Sequence, residues 1–202
     1  MKLLLESWRA FINEDEGPTS PLDLKLSPDQ KILALKEPWN GFPPGLNSRK
    51  AQKTGLKPEG VWYGCGDSWL KWMSREVPKW LDAVNYIYEL ELDQEFILTI
   101  TDEQKFKRFE REYWGRAPWQ GRGGWTDTGP PDGQFEMIEW DTLIGQYDGI
   151  EICPYLQQFR MSNSQWYYTW DVASGCIWDS ESLIGEPKLL WQRQTDESGE
   201  EE

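Results

Sequence analysis

The spacing of apolar side chains divides the chain into an N-terminal amphipathic segment, a series of short strands and helices, and a polar tail. Residues 1–14 carry five apolar side chains on one helical face: Leu4, Leu5, Trp8, Phe11 and Ile12. A stretch rich in glycine and proline then interrupts this pattern. We therefore predict an amphipathic arm and linker over residues 1–21, a single domain over 22–194, and a disordered acidic tail over 195–202.

Alternation with a period of two, together with aromatic and β-branched residues, predicts a set of short strands within the domain. These strands are expected at residues 60–64, 86–92, 96–101, 149–154, 166–170 and 175–178, with strand-like segments also in 22–35. Helices are predicted over 68–81, with an end or kink at Pro78, from Thr101 or Asp102 onward, and over 137–146. This order of elements predicts an α+β fold with a mostly antiparallel sheet and two or three flanking helices.

Two long segments, residues 38–57 and 115–133, are rich in glycine and proline and are predicted to be loops. The first contains the densest run of basic side chains in the sequence: Arg49, Lys50, Lys53 and Lys57. Loops of this length inside a compact domain are often functional. We expect the basic part of the first loop, residues 49–57, and the second loop, residues 115–133, to contact a diphosphate or a macromolecular target.

Composition narrows the classes of partner. The chain has 14 tryptophans among 202 residues, which indicates either a ring-lined core or a ring-lined cleft. Its net charge of −14 argues against passive binding to duplex DNA and to anionic membrane surfaces. No apolar run approaches the roughly 20 residues that cross a bilayer, so no membrane partner is expected.

The sequence contains no histidine, which excludes Ser-His-Asp and Cys-His catalysis and leaves no expected metal site of the conventional zinc type. Acid–base chemistry therefore depends on Asp, Glu, Tyr, Lys or Cys. The three cysteines, Cys65, Cys153 and Cys176, are odd in number and widely spaced. This pattern favours buried free thiols in a reducing compartment over one disulfide with a spare cysteine.

The segment 57–67 places the aromatic pair Trp62 and Tyr63 directly before Gly64. Because glycine has no side chain, a ligand can approach the backbone closely at this position. Aromatic faces also stack on nicotinamide or nucleobase rings and attract positive charge. The segment is therefore either one wall of a ligand site or an ordinary turn from a strand into a helix.

Two later segments supply candidate carboxylates. Glu151 alternates with two isoleucines, so its side chain points away from theirs, either to solvent or into a cleft. Asp171 follows Trp170 and precedes Ser174 at a turn between predicted strands, where it either takes part in catalysis or binds turn amides. An acid among aromatic rings can stabilise an oxocarbenium-like centre at a sugar.

The strings KPEGVWYGCGDSWLKW, YDGIEICPY and WYYTWDVASGCIW resemble a family of largely uncharacterised proteins from phages, large viruses and some fungi. The members of that family share KPxGLW, YDGIxIxPY and WDxASGCIW blocks. Its layout is similar to ADP-ribosyltransferase-like folds, in which a split antiparallel sheet binds NAD and a late-strand acid contacts the nicotinamide ribose. The Arg or His that such folds carry on their first strand has no obvious counterpart here. The resemblance implies NAD as the substrate, with catalytic roles for Glu151, Asp171 and Tyr63. It also implies that four further residues bind NAD: Trp62, Gly64, Trp170 and Ser174.

The first residues, MKLLLESWRAFINE, resemble the capsid-targeting peptides of internal proteins in T-even-like phages, with Ile12-Asn13-Glu14 as the cleavage tripeptide. Together the two resemblances imply an enzyme that is packaged in the virion and modifies a host protein or nucleic acid in the host cytoplasm. One alternative is a non-enzymatic phage structural or host-inhibiting protein whose tryptophans form the core. A second is a glycoside or nucleoside hydrolase that uses Glu151 and Asp171 as its carboxylate pair.

Overall fold

A seven-stranded sheet and a separate two-stranded hairpin organise the computed structural model, which describes residues 18–44, 46, 52, 56–118, 134–162 and 164–194. The strands of the large sheet are β1 (Lys31–Leu35), β2 (Val61–Cys65), β3 (Tyr86–Leu90), β4 (Ile97–Ile100), β7 (Gly149–Ile152), β8 (Ser174–Ile177) and β9 (Lys188–Gln192). The hairpin strands are β5 (Trp114–Pro118) and β6 (Gln134–Ile138). The α-helices within the described ranges are α1 (Ser68–Glu76), α2 (Pro78–Asp82), α3 (Glu103–Tyr113) and α4 (Gln165–Tyr168).

The large sheet is mostly antiparallel, and the predicted α+β fold is confirmed. Its strands lie in the order β4-β7-β8-β2-β1-β3-β9, and only the β4–β7 pair is parallel. These seven strands form one continuous hydrogen-bonded row, whereas the resemblance implied a split sheet. The described residues also contain four helices instead of two or three, and β9 forms an edge strand that the sequence pattern did not predict.

Two helix boundaries around the sheet follow from local chemistry. The predicted break at Pro78 is confirmed, because α1 ends before Val77 and α2 begins at the proline, whose ring fixes φ and which lacks an N–H donor. Helix α3 starts after Asp102, whose Oδ1 accepts a hydrogen bond from the Lys105 backbone N–H at 2.9 Å. No helix of the described segments is long and apolar enough to cross a membrane.

Three local predictions are wrong. Residues 165–168 form α4 instead of a strand, because Trp166 and Tyr167 are fully buried against the rings of α3 and tertiary packing overrides their strand propensity. Within 137–146, β6 ends at Ile138 and only a short 3-10 turn, Trp140–Leu143, is helical. The first residues of the predicted 115–133 loop belong to β5.

Several predictions fall on residues outside the described ranges. They concern the amphipathic arm and the acidic tail, most of the 115–133 loop, and the basic side chains Arg49, Lys50 and Lys53. From the first described residue onward the chain contacts the domain, since the Pro18 carbonyl accepts a hydrogen bond from Trp191 Nε1 at 2.7 Å.

The two faces of the sheet bury different sets of side chains. One face packs against α3 and α4 and holds four buried tryptophans, Trp140, Trp166, Trp170 and Trp178, each at most 1% exposed. Ile150 and Ile152 of β7 point into this aromatic core. The opposite face holds Leu33, Val61, Tyr63, Cys65, Tyr88, Leu90 and Ile177. The buried rings of the aromatic core therefore have a packing role.

Candidate functional site

Glu151 lies at the centre of a buried polar group on the face opposite the aromatic core. Its Oε2 accepts a hydrogen bond from the Tyr63 hydroxyl at 2.9 Å. Lys31 Nζ lies 2.8 Å from Oε1 and 2.7 Å from Oε2. Lys31, Tyr63 and Glu151, here called the carboxylate cluster, thus form an ion pair supported by a hydroxyl donor. Burial of an unpaired carboxylate would be costly, and these two donors offset that cost.

Strand register explains how Tyr63 reaches Glu151 across an intervening strand. Gly175 of β8 pairs with Tyr63 on one side and with Glu151 on the other. A Cβ at Gly175 would lie 2.3 Å from Cζ and from the hydroxyl oxygen of Tyr63, so any larger residue would block the tyrosine ring. Glycine is required here for space.

The carboxylate cluster is not the solvated face that one interpretation of the alternating pattern predicted. Glu151 is only 3% exposed, and both of its carboxylate oxygens have donors. Burial, followed by the charge of Glu151, raises the pKa of Tyr63 well above its ordinary value. Tyr63 therefore stays protonated near neutral pH and serves as a donor, which leaves it unsuited to act as a general base.

Cys65 and Cys153 form a disulfide, so the expectation that all three cysteines are free thiols is wrong. Cys65 ends β2 and Cys153 follows β7, and their Cα atoms are 6.5 Å apart across β8. Ala173, which directly precedes β8, lies next to Cys65, and its carbonyl accepts a hydrogen bond from the Cys65 backbone N–H at 3.0 Å. Cys176 is the free thiol, and burial raises its pKa well above the ordinary value.

A second group of candidate residues lies on the helix-bearing side of the sheet. Trp62 and Tyr63 are successive residues of β2 and point to opposite faces, so they do not share a pocket. The Lys57 ammonium lies 4.8 Å from the centroid of the Trp62 ring. Arg160 pairs with Asp171 at 3.2 Å, and its guanidinium lies 5.9 Å from the Tyr168 ring. We call these five residues the Trp62 surface: Lys57, Trp62, Arg160, Tyr168 and Asp171.

The Trp62 surface combines accessible rings with charges of both signs. Tyr168 is 45% exposed, and the side chains of Arg160 and Asp171 are 31% and 33% exposed. Desolvation lowers the pKa of Lys57, while the charge of Asp171 opposes that shift. The arrangement is able to stack a planar ring and to pair with an anion.

Beneath this surface lies a buried donor for which the described part of the chain offers no acceptor. Trp170 packs edge-on against Trp62, with ring centroids 4.9 Å apart. Its Nε1 has no hydrogen-bond partner among the residues that the structure describes. Two other core tryptophans differ, since Trp166 Nε1 donates to Glu110 and Trp178 Nε1 donates to the Tyr147 carbonyl. An unmade hydrogen bond of this kind is costly in a protein interior.

No family model, no curated protein and no solved structure matches this chain.

The resemblance implied Gly64 and Ser174 as ligand contacts, but their contacts in the structure are with neighbouring strands and helices. A Cβ at Gly64 would lie 2.9 Å from Trp69 Cβ, so this glycine lets α1 approach the sheet. Ser174 pairs with Gly64 in the sheet, and its hydroxyl donates to the Val172 carbonyl at 3.0 Å. Both residues position the elements around the site.

The structure therefore divides the candidate residues into two groups on opposite faces of the sheet. Tyr63 and Glu151 meet in the carboxylate cluster. Trp62, Trp170 and Asp171 lie in or beneath the Trp62 surface. Glu151 and Asp171 consequently do not face each other across a common cleft, as a carboxylate pair in a glycosidase does.

Sequence reasoning missed Lys31 and Arg160. The segment KILAL alternates, which places Lys31 on the same strand face as Leu33 and Leu35. A lysine on an apolar strand face signals a buried anionic partner, so Lys31 could have been found. Arg160 carries no such signal, since it follows a short 3-10 turn whose position depends on tertiary packing.

Proposed function

We propose that this chain is a phage-type, NAD-dependent mono-ADP-ribosyltransferase-like enzyme that uses the Trp62 surface as its NAD site. The observation that supports the proposal most directly is the grouping of Lys57, Trp62, Arg160 and Asp171 in one accessible patch. The α+β fold with a mostly antiparallel sheet is compatible with the ADP-ribosyltransferase-like type. The KPEGVWYG, YDGIEICPY and WDVASGCIW strings support the phage assignment.

Four residues of the Trp62 surface have proposed roles toward NAD. Trp62 stacks on the nicotinamide ring, whose positive charge an aromatic face attracts. Lys57 and Arg160 pair with the diphosphate. Asp171 then stabilises the oxocarbenium-like charge that develops at the ribose as nicotinamide leaves.

The proposed reaction transfers ADP-ribose to a nucleophile of a host protein or nucleic acid in the host cell. The bond between ribose C1′ and the nicotinamide nitrogen breaks, and nicotinamide departs with the electron pair. A bond from the target nucleophile to C1′ forms, and the proton of the nucleophile passes to solvent. Glu151 has no part in this scheme, because Lys31 and Tyr63 already engage its carboxylate.

The test is titration of intrinsic tryptophan fluorescence with NAD, alongside an assay for nicotinamide release. We expect saturable quenching and release in the wild-type protein, loss of both in Trp62→Ala, and binding without release in Asp171→Asn. Trp80→Ala is the matched control, because Trp80 is 59% exposed on α2 and contacts Trp72 instead of Trp62. It should behave like the wild type.

A non-enzymatic binding protein is the second candidate function. It is favoured by the fully buried tryptophans and by the fully engaged Glu151, since both then have structural roles. It predicts no quenching at millimolar NAD and no nicotinamide release. That result would overturn the enzyme proposal, as would normal release in Asp171→Asn.

A further inference from the structure

Three potential metal ligands lie together beside the carboxylate cluster. The sulfur atoms of Cys65 and Cys153 and a carboxylate oxygen of Glu151 all lie within 4.8 Å of one another. A tetrahedral Zn²⁺ with ordinary bond lengths holds sulfur and oxygen ligands roughly 3.5–3.8 Å apart. We propose that the thiol form of this cysteine pair, together with Glu151, binds Zn²⁺, and that oxidation to the Cys65–Cys153 disulfide releases the ion.

Two of the three ligands stand on strands and the third directly follows one, which restricts their spacing. Cys65 lies two residues after Tyr63 on β2, and Cys153 lies two residues after Glu151, directly after the last residue of β7. The hydrogen bond between Tyr63 and Glu151 and the link between the two cysteines both span β8. A site on strands holds its geometry better than one on loops, so reduction leaves the sulfur atoms close together.

Glu151 is oriented in the way that carboxylate ligands of metals usually are. Tyr63 donates to Oε2, and Lys31 Nζ lies within 2.8 Å of both oxygens, which leaves a lone pair of Oε1 for a metal. Such hydrogen bonds to a ligand fix its position and basicity. Two thiolates and a carboxylate carry three negative charges, so Zn²⁺ and the Lys31 ammonium together neutralise the buried group.

Conversion between the two forms balances in atoms and electrons. An external dithiol breaks the protein S–S bond by supplying two electrons and two protons, and it becomes a disulfide itself. Cys153, which is only half-buried, is the sulfur that such a reductant reaches. Zn²⁺ then forms two bonds to sulfur and displaces the two thiol protons to solvent, while water occupies the fourth position.

The experiment uses the full chain, reduced with a dithiol that is then removed without air, and Co²⁺ alone as the probe. Thiolate ligands give Co²⁺ an intense charge-transfer band in the near ultraviolet. We expect one equivalent of Co²⁺ to produce this band in the reduced wild-type protein and Zn²⁺ to abolish it by displacement. The oxidised protein should give no band, and reduced protein without a band would overturn the proposal.

Variants and alkylation identify the ligands. Cys153→Ser should remove most of the band, and Glu151→Gln should weaken Zn²⁺ binding at least tenfold. Cys176→Ser is the matched control and should keep the band, since this buried thiol lies on the opposite face of the sheet. In the wild type, Zn²⁺ should protect Cys65 and Cys153 from iodoacetamide, which tests the site without any substitution. Alkylation that Zn²⁺ does not slow, or unchanged affinity in Glu151→Gln, would contradict the assignment.

Discussion

At the scale of single residues, the meeting of Tyr63 and Glu151 depends on what Gly175 lacks. The two side chains belong to strands that are not neighbours, and the tyrosine ring passes over the glycine between them. Lys31 approaches the same carboxylate from β1. The Glu151 carboxylate is tolerated at 3% exposure because each of its oxygens accepts a hydrogen bond.

Tyr63→Phe should lower the free energy of unfolding by about 1–3 kcal/mol, because it leaves Glu151 Oε2 without its hydroxyl donor. Tyr167→Phe is the matched control, since the Tyr167 hydroxyl is also buried but accepts from a neutral donor, the Leu156 N–H, at 2.8 Å. Tyr167→Phe should lower the free energy of unfolding by only about 1 kcal/mol. Urea unfolding measures both values, and equal losses would show that the charge of Glu151 does not matter to the tyrosine.

Asp148 is a carboxylate whose surroundings disfavour its charge. Desolvation, followed by the charges of Asp179 and Glu181, raises its pKa above the ordinary value of 3.8. The folded state therefore holds the proton more tightly than the unfolded state does. The contribution of Asp148 to stability is greatest below pH 3.8 and falls as pH rises through the raised pKa.

Asp148→Asn should therefore raise the free energy of unfolding at neutral pH, by up to about 0.5 kcal/mol at this half-exposed position. The gain should shrink as pH falls toward the ordinary pKa of aspartate. Denaturant titrations across this acid range measure the difference. Asp141→Asn, which makes the same change of residue type at an exposed position, is the matched control.

At the scale of secondary-structure elements, α1 and α3 differ in how their first turns are capped. Asp102 precedes α3, and its carboxylate accepts from the Lys105 N–H, which lowers the pKa of Asp102. Asp67 occupies the equivalent position before α1 but makes no capping hydrogen bond, and it pairs with the exposed Lys71 instead. The same residue type thus performs two different roles.

Asp102→Ala should lower the melting temperature more than Asp67→Ala does, because only the first removes a capping hydrogen bond. The larger fall in melting temperature in Asp102→Ala should also disappear in acid. Its folded pKa is depressed, so its contribution is present above the ordinary pKa and is lost as pH falls through the folded value. Thermal unfolding followed by circular dichroism at two pH values tests this, and similar losses in both variants would contradict it.

At the scale of the whole molecule, the disulfide joins distant parts of the chain. Cys65 and Cys153 are 88 residues apart in sequence, and the segment between them includes α1, β3, β4, α3 and β7. A cross-link between distant positions restricts the unfolded chain more strongly than a local one.

Reduction of the disulfide should lower the free energy of unfolding by about 2–4 kcal/mol in metal-free buffer. The double variant Cys65→Ser/Cys153→Ser should show this lower stability already and should not respond to reductant. Denaturant unfolding with and without reductant measures the effect. A wild-type curve that reductant leaves unchanged would contradict this expectation.

Sequence reasoning succeeded where local chemistry decides the structure. The break at Pro78 and the start of α3 follow from proline geometry and from a capping aspartate. It failed for residues 166–170, whose strand propensity is overridden by packing against α3. It also did not pair Glu151 with Lys31, because the alternation of KILAL indicates a buried anionic partner for the lysine but does not identify a residue 120 positions away.

The position of the disulfide has a mechanical consequence. When the chain is pulled from its two ends, the linkage shields the segment between the two cysteines from the load. The cysteines are 88 positions apart, which is roughly 300 Å of contour length at about 3.4 Å per residue. A single oxidised molecule held under force should extend without releasing this length. Addition of a thiol reductant should then release it in a single step, so the extension of one molecule reports the oxidation state of one bond.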